Sequence, residues 1–233
     1  MSSGVYRLLV VSGLRLPDNK FGNLSPQSFL ESQVRDDILN LQPDYRYMKI
    51  GYYVSMHAEV LGNSVIPTCQ DILDVYKTPI LLLRARKRGM HVTPHIVSDN
   101  VKDIEFEVSL PMLIFPLNPF SNGGYKVVHS EGSLYRAVRS LGMNGKYPVC
   151  AEYLLGSLES TKFLFGSVGN PLLQDMAAEV YAEFRLPVFQ LLAQIVEERP
   201  YLCNVLPMHR EELTVPDIEI LSKRVEDAEI RFG

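Results

Sequence analysis

LPMLIFPLNPFSNGGYKVVHSEGSLYRAV, residues 110–138, followed by VCAEYLLG at 149–156, is the stretch on which the fold assignment turns. Pro111–Leu117 is almost wholly apolar and Tyr125–His129 is short and β-prone, so both read as strands joined by the loop NPFSNGG. Ser133 is placed as the cap of a helix over Leu134–Leu141, and Tyr147–Tyr153 as a further strand. The order is strand, glycine loop, strand, helix, strand. Gly123 and Gly124 would allow a close backbone approach, with N–H groups aimed at an anion. Asn122 followed by Gly123 is also a two-residue hairpin signal, so the loop serves either use.

Upstream, Tyr6–Ser12 reads as a buried strand, and Ser25–Pro26 as a cap and first-turn proline. Phe29, Leu30, Val34, Ile38 and Leu39 recur at helical spacing and extend that helix. The run YRYMKIGYYV from Tyr45 favours a strand, with a short second one at Val65 and Ile66. Helices follow at Thr68–Tyr76, with Asp71 in a capping box, and at Ile80–Arg88, started by Thr78–Pro79 and ended by Gly89. His91–Val97 is a strand. Downstream, Phe163–Val168 reads as one strand, and Leu172–Glu198 as a long helix bent at Pro187. Tyr201–Val205 is a last strand, and Val215–Ile230 an amphipathic helix.

Composition narrows the function. Hydrophobic residues make up 46% and charged residues 21% of the 233, which is the signature of a folded domain. A net charge of −4 offers no broad attraction to a phosphate backbone, and the cluster Arg84, Arg86, Lys87 and Arg88 is explained by its place at a helix end. No nucleic-acid partner is expected. Three cysteines without close spacing read as reduced, mostly buried thiols. The apolar run Tyr6–Val11 is too short to span a membrane and lacks the basic start of a signal peptide, so a cytoplasmic location without membrane contact is expected. There is no Gly-x-Ser-x-Gly elbow, no His-x-x-x-His or Cys-x-x-Cys spacing, no phosphate-binding P-loop and no dinucleotide fingerprint.

In its order of features, Leu61–Leu155 resembles the ATP-grasp family, ligases and related kinases that hold ATP between two α+β lobes. The positions that match the first part of its pattern are Asn63, Ser64, Lys77, Gly89, Val92 and Pro94. The resemblance implies an α/β chain of ATP-grasp-like α+β lobes with a small N-terminal α/β unit. The divisions would be an N-terminal region at 1–98, a glycine-loop lobe at 99–155 and a shortened C-terminal lobe at 156–233. It further implies that Ser121, Asn122, Gly123 and Gly124 cover the phosphates, that Lys77 and Lys126 reach them, and that Glu152 with the backbone of Tyr153 and Leu154 faces the base.

Two departures stand out. The family's second ATP lysine should precede Pro116, where Phe115 stands, and a phenyl ring cannot pair with a phosphate. The family's magnesium acids correspond to PYLCNVLPM, with Cys203 in place of the acid and Asn204 beside it as the one remaining metal ligand. By resemblance the chain is a nucleotide-binding carboxylate-amine ligase using ATP and Mg. The alternative is a catalytically inactive scaffold or protein-interaction subunit, with a protein partner or a second copy of itself.

Overall fold

The computed structural model describes residues 8–14, 16, 21–121 and 124–227. Its three sheets each contain four strands. The first is parallel, in the order β2(Gly22–Leu24), β1(Leu8–Ser12), β3(Asp37–Leu41), β4(Val65–Ile66). Its outer face packs Val11, Ile38 and Val65 against Phe29 of α1(Pro26–Leu30) and Val54 and Ala58 of α2(Ile50–Val60). The opposite face joins the largest core, with α3(Cys69–Val75) and α4(Thr78–Lys87).

The second sheet is antiparallel, in the order β5(His95–Ser98), β8(Val149–Tyr153), β6(Met112–Pro116), β7(Lys126–Val128). Met112, Ile114, Val149 and Ala151 point to one side, where α5(Val101–Glu107) and α6(Glu131–Leu141) cover them. Leu113, Phe115 and Cys150 point to the other side. There they meet the third sheet, antiparallel β10(Ser167–Val168), β9(Ser157–Leu164), β11(Val188–Val196), β12(Arg199–Leu206). The alternation of side chains along each strand thus gives the middle sheet two buried faces. Outside the third sheet, a 3-10 turn at Pro171–Leu173 leads into α7(Gln174–Phe184), and α8(Val215–Asp227) closes the described chain.

The glycine-loop unit matches expectation at β6, β7 and β8, and Ser25 caps α1 by accepting from Ser28 N. Asn122 and Gly123 lie outside the described residues, as do Tyr6, Arg7 and Ala228–Ile230 of the segment expected as the C-terminal helix.

Several elements differ. The helix from Pro26 stops at Leu30, and Ile38 and Leu39 lie in β3, because an apolar pair fits helix and strand periods alike and pairing with both β1 and β4 decides. The aromatic run from Tyr45 contains the start of α2 rather than a strand. Here burial of Val54, Ser55 and Ala58 on one helical face overrides local β-propensity. Pro187 bends nothing: α7 ends at Phe184, Arg185 adopts a left-handed φ of 56°, and β11 begins at Val188. The helix after β7 is capped by Ser130, with Ser133 as the third-residue partner of its capping box. Phe163–Val168 is two strands, β9 and β10, turned by Phe165 and Gly166 at positive φ. The strand from His91 is reduced to β5, preceded by a single bridge from Val92 to Leu202.

Candidate functional site

A cavity of about 300 Å³ opens beside the ends of β6 and β12, against the junction of α3 and α4 and Arg46–Tyr47. Lys77 and Thr78 at the start of α4 form one wall, and Ile72, Leu73 and Tyr76 of α3 and its C-terminal end form the floor. Pro116–Pro119, with Ser121 and Gly124, form the second wall, and Asn204–Pro207 at the end of β12 the third. The structure therefore brings together Lys77, the loop residues Ser121 and Gly124, and Asn204, from three distant parts of the sequence.

Lys77 is held there by the packing of α3, α4 and α7. Arg84 of α4 reaches Asp74 of α3 at 2.9 Å and Glu183 of α7 at 2.7 Å, and its guanidinium lies 4.4 Å from the centre of the Phe184 ring. Asn204 is also fixed, donating from Nδ2 to Thr78 Oγ1 at 3.1 Å while its Oδ1 accepts from Val205 N at 2.9 Å.

Arg46 was not legible in the sequence as a site residue. It lines the same cavity, nearly buried, and forms a two-pronged pair with Asp44 through Nε at 2.9 Å and Nη2 at 2.6 Å. Its remaining nitrogen, Nη1, donates to Ser121 O at 3.1 Å and so straps the loop before Gly124 to the N-terminal lobe. Only the tertiary structure joins residues 75 positions apart, and no local signal marks the contact.

The other sequence-derived residues lie elsewhere. Lys126 is exposed and pairs in register with Ile114, which places it on the α5–α6 side of the middle sheet, opposite Phe115. Glu152 is fully buried between the middle and third sheets, and neither carboxylate oxygen finds a hydrogen-bond partner of good geometry. Burial pushes its pKa well up, with the nearby Cys203 thiol and Thr93 hydroxyl opposing weakly. The Tyr153 side chain donates to Glu107 O, on the outer face. Its backbone N–H is directed at Pro94 O at 3.4 Å, its carbonyl accepts from Gln194 at 2.8 Å, and Leu154 N donates to Pro111 O at 3.1 Å. Both backbone groups of Tyr153 and the Leu154 N–H, among those expected to face a base, are thus engaged within the protein.

Gln194 is the second residue that the sequence did not reveal. It is fully buried in β11, accepts at Oε1 from Leu155 N at 2.6 Å and Gly156 N at 3.2 Å, and donates to Tyr153 O and Thr93 Oγ1. A glutamine inside the apolar run VFQLLAQIV was a usable signal, because a buried amide requires partners.

Parallel first sheet, antiparallel middle sheet with a glycine loop, and antiparallel third sheet together define an α/β protein of the ATP-grasp fold. Residues 25–112 match the model of the RimK-like ATP-grasp N-terminal domain. Among solved structures, a D-alanine–D-alanine ligase from Bacillus anthracis superposes with a TM-score of 0.66 at 15% identity, over 95% of each chain. A RimK domain ATP-grasp protein from Sphaerobacter thermophilus gives 0.65 at 11% identity, over 94% of this chain and 98% of that one. The ATP-grasp ligase PsnB, in complex with a phosphomimetic variant of its minimal precursor, Mg and ADP, gives 0.59 at 12% identity, over 96% and 99%. The Bacillus ligase has also been determined with ATP. No curated protein sequence matches the chain. The chain has the fold of ATP-grasp ligases, and its N-terminal part matches the RimK-like ATP-grasp N-terminal domain. No helix among the described residues is long and apolar enough to cross a membrane.

The residues present do not fit a nucleotide and metal between the two antiparallel sheets. That space is filled by Leu113, Phe115, Cys150, Leu192 and Cys203, each at most 1% exposed, with the Phe115 and Tyr125 rings 5.6 Å apart. The Cys203 thiol, raised to about 12 by burial and then by Glu152, stays protonated and is a poor partner for a hard cation. Among the described residues no group of three or more His, Cys, Asp or Glu side chains could hold a metal ion.

Proposed function

We propose that this protein is a catalytically silent member of the ATP-grasp superfamily, a binding protein in which the two-lobed fold is kept and the phosphoryl-transfer centre is replaced by packing. The observation that carries this reading is the closed apolar contact of Leu113 and Phe115 with Leu192 and Cys203, where the resemblance would place the base and metal. Phosphoryl transfer depends on cations that offset the phosphate charge, held through oxygen ligands. Phe115 and Cys203 supply neither. The saturated hydrogen bonds around Tyr153 and Leu154 support the same reading, since a base would have to displace them.

Two observations favour the alternative of an ATP-dependent carboxylate-amine ligase. Lys77, Ser121, Gly124 and Asn204 share an open cavity, and the Glu152 carboxylate is without a partner. Separation of the two sheets would expose that acid. Thermal unfolding with ATP and Mg distinguishes the two readings. A ligand bound only by the folded state at about 100 times its Kd adds about 2.7 kcal/mol. The proposed function expects no such stabilisation and no ATP hydrolysis across candidate acids and amines, whereas Mg-dependent turnover lost in Lys77→Ala would establish the ligase.

A further inference from the structure

The cavity beside Lys77 differs from a triphosphate site in charge, size and lining. Arg46 and Lys77 are its two basic residues, and none of its lining residues is acidic. The two-pronged pair with Asp44 neutralises Arg46, which leaves one uncompensated positive charge. Among the described residues no carboxylate pairs with Lys77. Thr78 and Asn204 carry no charge, are nearly buried and are joined by the bond from Asn204 Nδ2 to Thr78 Oγ1. The remaining surface is dominated by Ile72, Leu73, Leu117, Val205 and Leu206, with several prolines. At about 300 Å³ the volume is at the lower end of the range for small-molecule pockets, about 300–1,000 Å³.

From this we infer that the cavity binds a small monoanion with an apolar body, of the aromatic or branched monocarboxylic acid class, with its carboxylate on Lys77 and its body against Leu73, Leu117 and Val205. The inference rests on the reading of a binding protein that no longer takes a nucleotide. Apolar burial supplies most of the affinity and the single charge sets the orientation, the usual division of labour in a largely apolar pocket. Arg46, by holding Ser121 O, keeps the wall in place and is a positioning residue for the ligand.

The test is a titration of the isotopically labelled full chain followed by amide NMR. The probes are phenylacetate, 2-phenylethanol with the same body and no charge, and inorganic phosphate with charge and no body. Phenylacetate is expected to shift amides at Leu73, Lys77, Leu117 and Val205 and to bind at least about tenfold more tightly than either control, a factor equivalent to about 1.4 kcal/mol. Lys77→Gln, a change at an exposed position, is expected to lower phenylacetate to the level of 2-phenylethanol, and Leu73→Trp to block both. No phenylacetate binding at millimolar concentration, equal binding of phosphate, or affinity unchanged in Lys77→Gln would each overturn the inference. If phenylacetate and ATP with Mg both fail to bind, this inference falls and the proposed function stands. Mg-dependent ATP turnover overturns the proposed function whatever phenylacetate does.

Discussion

Glu152 has no solvent exposure and, beyond the nearby Cys203 thiol and Thr93 hydroxyl, no hydrogen-bond partner of good geometry for either oxygen, a costly place for a charge. In the unfolded chain it would titrate near pH 4.3, the ordinary value for glutamate. In the folded protein burial holds the proton to higher pH. Between those limits the native state binds more protons, so the contribution of Glu152 to stability is complete below the unfolded value and is lost as pH rises toward the folded one. Glu152→Gln removes that titration while keeping the shape. Relative to the parent protein it should gain up to about 1.4 kcal/mol per pH unit across the window, so urea unfolding should show a larger advantage at pH 8 than at pH 5. Equal pH slopes in the two proteins would show instead an ionised Glu152 with a stabilising partner.

Helix α2 illustrates how an element is decided by what lies beneath it. A Cβ on Gly51 would sit 2.5 Å from Asp44 O, 3.0 Å from the Tyr45 ring and 3.1 Å from Gln42 Cβ. Asn40 anchors the same turn, donating to Gly51 O at 2.7 Å and Ser55 Oγ at 2.8 Å. Alanine is intrinsically better than glycine in a helix by about 1 kcal/mol, yet Gly51→Ala should destabilise by about 1–3 kcal/mol, since overpacking against backbone outweighs propensity. Calorimetry should show a lowered Tm. Because Asp44 carries the Arg46 pair, the variant should also loosen the cavity wall, read as weaker binding of phenylacetate. A raised Tm would mean that the loop at Asp44 yields at little cost.

At the scale of the molecule, Gln194 connects the third sheet to the end of β8 through Tyr153, Leu155 and Gly156, and to Thr93 ahead of β5. Gln194→Leu keeps the volume and orphans two backbone N–H groups and a carbonyl. An unmet group costs about 1–3 kcal/mol when fully buried, and because Leu155 is 48% exposed a total loss of about 1–3 kcal/mol is expected from urea unfolding. Hydrogen exchange should speed up first at Leu155 and Gly156. A loss below about 1 kcal/mol would mean that water takes the place of the amide.

Much of the order of strands and helices from Leu61 to Leu155 was legible because those pieces combine a distinct period with a cap or a breaker: Thr68, Pro79 and Gly89 mark ends that hold in isolation, whereas α5 and the cap at Ser130 were not foreseen. Lys77, Ser121, Gly124 and Asn204, named by the resemblance, line one cavity, and the resemblance also marked the departures at Phe115 and Cys203. Short apolar segments such as Asp37–Leu41 and Val188–Val196 were not legible, since helix and strand are nearly equal in local free energy there and the neighbouring strands decide. The side on which Lys126 stands, the strap from Arg46 to Ser121 and the closure of the inter-sheet space over Glu152 belong to the tertiary structure alone. Each depends on contacts between residues far apart in the chain, and burial, which sets both the charge of Glu152 and the shape of the cavity, exists only once those segments have packed.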